Sequence, residues 1–372
     1  MKNRKIYYIT YQTFPAETAN SHQTVSNIKY LIKNKSDVVL IFPLREEQSS
    51  DSLNKIKQYY NIDEDFELVG LPHNLPFGKI RFFNKTTFHI SQYLWAKKTV
   101  KNITKDSLKT DIFITRSDWV FYFLLKENKK AIFECHQLSK LRRIMIKFCL
   151  KNSNAKIIFL NNNLRDAFKE RLTEENNIIL QNGVDLDYFS NLSKKKKEVV
   201  FVGNLRRFNE DRDINFIVEA FVKSKLSNSY KLKIIGGPDK VAQKLSETFK
   251  NVSHNLDIEI TGRLKIKDAL ENIANAEIGI MINSSKNKHS LLYTSPLKYY
   301  EYLASELKII AVDFPAHRNL PYSENILFFK EDNLNTLIDC FNNAESKKNI
   351  TLNKEEISLN KRAREILKFV DR

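Results

Sequence analysis

The chain has 372 residues and carries 61 Lys and Arg against 44 Asp and Glu, a formal charge of +17; at roughly 150 residues per domain, that length favours two domains. With 42% hydrophobic and 28% charged residues, global disorder is excluded, and no apolar run reaches the roughly 18 to 20 residues of a membrane-spanning helix. The charge excess calls for an anionic partner, whether nucleic acid, an anionic membrane surface or a phosphorylated substrate.

The opening residues, MKNRKIYYITYQTF, are charged and then strand-like, without the long apolar stretch of an export signal, so a cytoplasmic location is expected. Cys135, Cys149 and Cys340 fit the same reducing compartment, having neither zinc-site nor disulfide spacing. The first strand, Lys5–Ile9, leads into the loop Phe14–Gln23 (FPAETANSHQ), which holds Asn20 and Ser21 and precedes a helix. Apolar β-branched runs follow at Val38–Ile41, Ile112–Ile114, Ala131–Phe133 and Ile157–Leu160. Short apolar runs without alternation are strands buried on both faces, as in parallel sheets covered by helices. Arg116 and His136 each follow such a strand, at the end where α/β sheets bind ligands. A lone histidine is more often structural, but the strand-end placement keeps His136 a candidate.

Positive charge concentrates in this half. Residues 77–109 interleave Lys79, Arg81, Lys85, Lys97, Lys98, Lys101, Lys105 and Lys109 with Phe77, Phe82, Phe83, Phe88, Tyr93, Leu94 and Trp95. In Leu138–Lys151, Arg142, Arg143, Lys147 and Lys151 lie opposite Leu138, Leu141, Met145 and Phe148. Basic amphipathic segments with aromatics suit an anionic bilayer, where each basic residue contributes about 1 kcal/mol. The alternatives are helices packed on a sheet with solvated lysines, and stacking on single-stranded nucleic acid, which no recognised nucleic-acid motif accompanies.

Asn182–Asp185 (NGVD) is turn chemistry, and Ser193–Lys197 reads as a solvated basic linker, so the domain break is expected near 190–197. New strands follow at Glu198–Val202, Lys231–Ile235, Asp257–Thr261, Ile278–Ile282 and Lys308–Val312. The alternation predicts two doubly wound α/β units. Gly236 and Gly262 lie in the turns after the second and third of these strands, where glycine lets backbone approach a ligand or tightens a strand–helix corner. Taken alone, Arg206, Arg207 and Arg212 read as solvated loop charges and Arg263 as a structural residue. No G-x-G-x-x-G is present, which counts against a nicotinamide enzyme. The tail, Lys354–Arg372, has the apolar spacing of an amphipathic helix.

The most informative stretch is Tyr293–Ser305 (YTSPLKYYEYLAS). Thr294 or Ser295 can cap a helix, and Pro296 suits its first turn. The free amides there, around Pro296, Leu297 and Lys298, make an anion site to which Lys298 adds a point charge. Glu301, on the same helix, can accept two hydrogen bonds from a ribose diol, each worth about 1.5–3 kcal/mol. The segment reads as a nucleoside-diphosphate clamp or, more plainly, as a capped helix with an exposed acid.

Residues 293–313 resemble the C-domain signature of the retaining family-four glycosyltransferases of GT-B fold, and in particular the subgroup reading YTSPLK..EY.A. Glu301 matches the second acid of the wider family's pair, while the first falls at Tyr293. Phe201–Leu205 (FVGNL) is similar to the family's first C-domain strand and glycine turn. Aligning Glu219-Ala220 places Arg212 at the family's phosphate-binding lysine, with Arg206 and Arg207 as competitors. Lys233–Pro238 and Ile260–Leu264 resemble the next two strands and turns. The resemblance equates Phe14–Gln23, with Asn20 and Ser21 in place of glycine, with the loop facing donor phosphate and acceptor. It matches His136 to the histidine that contacts the transferred sugar, and Asn182–Phe189 (NGVDLDYF) to an inter-domain hallmark.

The resemblance implies an α/β GT-B protein, with two doubly wound parallel-sheet, Rossmann-like domains and an inter-domain cleft. Residues 1–190 would bind acceptor, 198–352 a nucleotide-sugar, and 353–372 a helix returning toward the first domain. It implies retention of configuration, with neither metal nor cofactor required. On this reading, His136 and Glu301 are the catalytic candidates; Gly203, Arg206, Arg207, Arg212, Gly236, Arg263, Thr294, Ser295, Leu297 and Lys298 join Glu301 around the donor; Asn20, Ser21 and Arg116 face the acceptor. The expected acceptor is a lipid or lipid-linked hydroxyl at the cytoplasmic membrane face, with nucleic acid disfavoured as a partner. The alternatives are a soluble acceptor, a GT-B sugar-nucleotide epimerase, or a basic nucleic-acid- or membrane-binding protein without turnover.

Overall fold

Residues 4–73, 75, 84–189, 195–207, 210–250, 256–348 and 352–372 are described in a computed structural model. Of the sequence features above, Phe77, Lys79, Arg81, Phe82, Phe83, Ser193 and Lys194 lie outside the described residues. Two compact units emerge, Met1–Leu180 with Leu359–Arg372, and Gln181–Ser358.

In the first unit, strands β1 (Lys5–Ile9), β2 (Asp37–Leu44), β3 (Glu67–Pro72), β4 (Ile112–Thr115), β5 (Ala131–Cys135), β6 (Ala155–Phe159) and β7 (Asn177–Ile179) form a seven-stranded sheet ordered β3-β2-β1-β4-β5-β6-β7. Every neighbouring pair is parallel. Helices α1 (Ala19–Lys33), α2 (Leu53–Tyr60), α3 (Asn84–Ile103), α4 (Asp118–Lys126), α5 (Lys140–Cys149) and α6 (Asn162–Asp166) lie between the strands. All residues of β4 and β5 are buried, which is why their sequences run apolar without alternation. Glu134, the one charged residue in β5, is the exception to that pattern.

The second unit carries β8 (Glu198–Val202), a short hairpin of β9 (Arg206–Arg207) and β10 (Glu210–Asp211), then α7 (Ile214–Lys223), β11 (Lys231–Ile235), α8 (Asp239–Phe249), β12 (Ile258–Thr261) and α9 (Ile266–Asn275). It continues with β13 (Ile278–Met281), α10 (Leu297–Ala304), β14 (Lys308–Val312), α11 (Pro315–Arg318), β15 (Ile326–Phe329) and α12 (Leu334–Ala344). The main sheet is ordered β12-β11-β8-β13-β14-β15, again all parallel. Helix α13 (Leu359–Asp371) belongs to the first unit: Leu359, Ala363, Ile366 and Phe369 join Val25, Ile28 and Leu31 of α1 in its core.

The units part at Leu180 and Gln181, ahead of the basic linker. Gln181 and Asn182 are tied into the second unit. Tyr300 Oη donates to Gln181 Oε1 at 2.7 Å, Asn182 N to Ser295 Oγ at 3.2 Å, and Asn182 Nδ2 to Ser295 O at 2.6 Å. Lys195 of the linker is half-buried rather than solvated. Its Nζ donates to the carbonyls of Ala274 and Ser305, both at 2.6 Å, capping the C-terminal ends of α9 and α10.

Candidate active site

In each sheet the strand order reverses once, between β1 and β4 and between β8 and β13. Side chains beyond the C-terminal ends of those strands are where ligands bind in open α/β sheets. Several sequence candidates fall at or next to these two places, while Arg263 lies beyond the edge strand β12.

In the second unit, α10 follows β13, and its start lies beside the reversal. Its N-cap is Pro296, and no side chain caps it. This corrects the expectation for Thr294 and Ser295: both are buried, and the Ser295 hydroxyl is spent on Tyr300 Oη at 3.0 Å and the Asn182 amide. The first amides of α10, from Leu297 and Lys298, have no intrahelical acceptor and, among the described residues, no side-chain cap, and the helix dipole adds positive potential there. Glu301 lies one turn in, 16% exposed, and takes Lys298 Nζ on Oε2 at 2.6 Å. The lysine expected to meet phosphate thus also holds the acid expected to meet ribose.

Tyr299, Tyr300 and Tyr302 anchor α10, all fully buried. The Tyr302 ring packs against Gly279, where an added Cβ would come within 2.5 Å of it. Its hydroxyl accepts from Val202 N at 3.2 Å and donates to Ile280 O at 3.4 Å, locking α10 to the ends of β8 and β13. Burial pushes this phenol up and the Val202 amide opposes that, with the Glu301 charge adding to the rise and the Arg212 charge opposing it.

Arg212 stacks on Phe201 with its guanidinium 5.6 Å from the ring centroid, and Nη1 lies 3.5 Å from where a Cβ on Gly203 would be. The backbone that carries it is fixed on both sides: its own amide donates to Leu205 O at 2.7 Å, and Asp213 caps α7 through Phe216 N at 3.0 Å. Arg206 instead pairs with Asp211 across the hairpin at 3.0 Å, with both side chains more than half exposed, and Arg207 adjoins it on β9. Arg263 is exposed beyond β12; its amide binds Asp239 Oδ1 at 2.8 Å and its Nε lies over Gly237. Gly236 has a backbone reason: a Cβ there would sit 1.8 Å from Gly203 O, so the β8 and β11 turns meet only because position 236 has no side chain.

In the first unit, Arg116 and His136 follow β4 and β5. Arg116 is almost fully buried, donating from Nε to Glu134 Oε2 at 3.0 Å and from Nη1 to Gln23 Oε1 at 3.1 Å and to Asn20 Oδ1. Arg362 of α13 donates to the other oxygen of Glu134, Oε1, at 2.7 Å, and Tyr8 Oη donates to Oε2. Burial alone would raise the Glu134 carboxyl; Arg116 and Arg362 outweigh it and hold the group well below the usual carboxylate range. An acid so occupied is an ionised anchor and not a proton acceptor. Burial first, and Arg116 second, hold the His136 imidazole well below its ordinary range, so it is neutral at pH 7. Its Nε2 is buried without a hydrogen-bond partner among the described residues. Ser21 is a correction: it is completely buried, its hydroxyl donating to Ala16 O at 2.6 Å and Thr18 O at 2.8 Å, and it presents nothing to an acceptor. Asn20, by contrast, is exposed at the start of α1.

Glu134, Tyr8 and Arg362 escaped the sequence reading. The available signals were a charge inside an apolar strand run and an arginine on the apolar face of the tail helix.

The basic segments also divide. Trp95 is buried against Tyr11, and Arg142 pairs with Asp118 at 2.6 Å instead of facing outward. What remains exposed on α5 is Leu141 (43%), Ile144 (69%) and Phe148 (58%), spaced along one face, with Lys140 and Arg143 beside them. On α3, Ile90 and Leu94 are exposed with Lys97, Lys98 and Lys101. No helix among the described residues is long and apolar enough to cross a membrane.

Residues 196–344 match the model of a family described as glycosyl transferases group 1, which spans most of the second unit. No curated protein matches the chain. Among solved structures, a glycosyltransferase from Rickettsia africae ESF-5 is similar at 16% identity and TM-score 0.68, over 100% of this chain and 98% of that one. The lipopolysaccharide outer core galactosyltransferase WaaB, in its apo form, is similar at 12% identity and TM-score 0.66, over 99% and 100%. An E. coli trehalose-6-phosphate structure bound with UDP-2-fluoro glucose is similar at 10% identity and TM-score 0.60, over 99% and 95%. At these identities the likeness carries the fold: two parallel-sheet α/β domains of the GT-B class, as the sequence predicted. The group 1 match indicates a glycosyltransferase.

Proposed function

We propose that the protein is a retaining glycosyltransferase of the family-four type, moving a sugar from a nucleotide-diphosphate sugar to a hydroxyl of a membrane-associated acceptor such as a glycolipid, diacylglycerol or a lipid-linked polysaccharide precursor. One observation carries the reading: the uncapped start of α10 with its Lys298–Glu301 pair, on the helix that Tyr302 ties to Val202, and Arg212 over Phe201 beside Gly203 come together at the end of β8, within the residues of the group 1 match. Breaking a sugar–phosphate bond leaves charge on the departing diphosphate. Fixed amides and cations, already oriented, stabilise that charge without reorganising. Arg212 can meet two phosphate oxygens at once. Glu301, with Oε2 held by Lys298, offers Oε1 to ribose hydroxyls. The second unit is therefore the donor side in this reading.

The first unit supplies the acceptor side, with neutral His136 as the contact to the transferred sugar. The exposed Leu141, Ile144 and Phe148 face of α5, flanked by Lys140 and Arg143, supports an acceptor approached on an anionic membrane, the protein lying peripherally on the cytoplasmic face. No resident metal or cofactor enters this scheme; the nucleotide-sugar is a substrate.

A thermal-shift panel of nucleotide-sugars tests the donor side, because a ligand that binds only the folded state raises its stability. Product analysis with the stabilising donor then separates the possibilities. Glycosylated lipid supports the proposal, whereas epimerised donor without transfer, or the absence of any stabilising nucleotide-sugar, refutes it. Flotation with neutral and anionic vesicles tests the membrane part, which fails if lipid charge makes no difference.

A further inference from the structure

Arg362 lies far along the chain from β5, yet its guanidinium is only 3% exposed, directed at Glu134. Glu134 is thereby joined to four other elements: Tyr8 of β1, Arg116 after β4, Arg362 of α13 and, through the arginines, α1. Arg116 reaches Asn20 and Gln23 of α1, and Arg362 Nη1 reaches Asn27 Oδ1 at 3.4 Å. His136 follows two residues after this hub. The charges that face its imidazole are Arg116, Glu134, Arg362 and Arg142, the last neutralised by Asp118. Two arginines on one acid leave a surplus positive charge beside the ring.

We propose that Arg362 is a positioning residue: by clamping Glu134 it fixes the Glu134–His136 strand end, so that the partly exposed His136 ring meets a hydroxyl of the bound sugar. The tail helix is then part of the ligand site without touching ligand. Arg362 also contributes one of the cations that keep the imidazole unprotonated in mildly acidic solution. The inference rests on His136 being a sugar contact, so its test includes a readout independent of turnover.

In the full-length chain, Arg362→Met, Arg362→Lys and the double variant Glu134→Gln/Arg362→Met are compared with the parent. The His136 ring is followed by NMR from pH 5 to 8, and donor kinetics are measured over the same range. In the parent, the His136 resonance titrates well below the ordinary imidazole range. In Arg362→Met, loss of a nearby cation moves the titration upward by about one pH unit or more. Its kcat then falls about tenfold at pH 6 and less at pH 8, with KM changing little. Arg362→Lys restores the charge, and with it the parent titration, but recovers only part of kcat because one ammonium cannot reproduce the fork. Should Arg362→Met unfold, the double variant decides, since removing acid and base together leaves no uncompensated acid. It is expected to fold, yet to lose kcat as Arg362→Met does.

A folded Arg362→Met with unchanged His136 titration and kcat would overturn the proposal. So would activity that merely tracks the folded fraction at every pH, or a double variant with the parent's kcat. A shifted titration in a chain that turns over no nucleotide-sugar supports the positioning role and refutes only the transferase reading.

Discussion

Replacing Glu301 with alanine separates a binding role from a structural one. The carboxylate's one contact among the described residues is Lys298, an i,i+3 pair in which Lys298 is 33% exposed and Glu301 16%. Such pairs contribute about 0.2–0.5 kcal/mol to a helix. Alanine has the higher helix propensity, by a few tenths of a kcal/mol, which offsets much of that loss. The helix itself is held by three buried tyrosines that the substitution leaves in place. The variant should therefore unfold within about 1 kcal/mol of the parent. Binding is different, because two hydroxyl hydrogen bonds to a carboxylate are worth about 1.5–3 kcal/mol each, or about 3–6 kcal/mol together. Since about 1.4 kcal/mol is a factor of ten, nucleoside-diphosphate affinity should fall at least about a hundredfold. Release of Lys298 to phosphate recovers a small part of this. Titration calorimetry with the stabilising nucleotide, beside a denaturation curve, reads both quantities. A loss of less than tenfold in a folded variant would refute Glu301 as the ribose acceptor, and a large loss of stability would refute the account of how α10 is held.

Three further outcomes follow from other contacts. Gly279→Ala drives a methyl to 2.5 Å from the Tyr302 ring, so the second unit should lose about 1–3 kcal/mol in denaturation, and nucleotide affinity should drop with it as α10 shifts. Ile144→Ser and Phe148→Ser alter side chains that are 69% and 58% exposed. Each should leave the melting temperature unchanged while reducing flotation with anionic vesicles, because up to about 1.5–3 kcal/mol of side-chain burial in the bilayer is lost. Burial lowers Lys195 from its ordinary 10.5 to about 8. The folded chain releases that proton before the unfolded chain does, so stability should rise between about pH 8 and 10.5, and Lys195→Met should flatten that rise.

The sheets were the most legible part of this sequence. Buried parallel strands such as Ile112–Thr115 and Glu198–Val202 advertise themselves as unbroken apolar runs, because both faces are covered. The start of α10 was legible as a place but not in detail. Proline, threonine and serine mark a helix start, yet nothing local reveals that Ser295 turns inward to hold Asn182, a partner more than a hundred residues away. The donor arginines illustrate the same limit. Arg206, Arg207 and Arg212 are chemically alike in sequence, and only the pairing of Arg206 with Asp211 and the stacking of Arg212 on Phe201 distinguish two of them. Glu134 was least legible, because an acid in an apolar strand is costly until its counter-ions arrive. Those come from Arg116 and from Arg362, near the other end of the chain.

That hub also sets how the first unit responds to acid. His136 has an ordinary value of 6.5 and is held well below it when folded. Between those two values the unfolded chain binds a proton that the folded chain refuses, so stability falls as pH drops below about 6.5. Glu134 behaves likewise from a lower starting point. Its ordinary value is 4.5, and the folded carboxylate stays ionised well beneath it, so its stabilisation is present above about pH 4.5 and is lost as pH falls toward the folded value. Acid destabilisation should therefore arrive in two stages, the first with a slope of up to about 1.4 kcal/mol per pH unit for one proton. Replacing His136 with asparagine removes only the first stage. Hydrogen exchange of β5 amides between pH 7 and 4 resolves the stages without requiring the two units to unfold together. Protection in β5 that declined below pH 6.5 equally in the parent and in His136→Asn would show that another group carries the early loss.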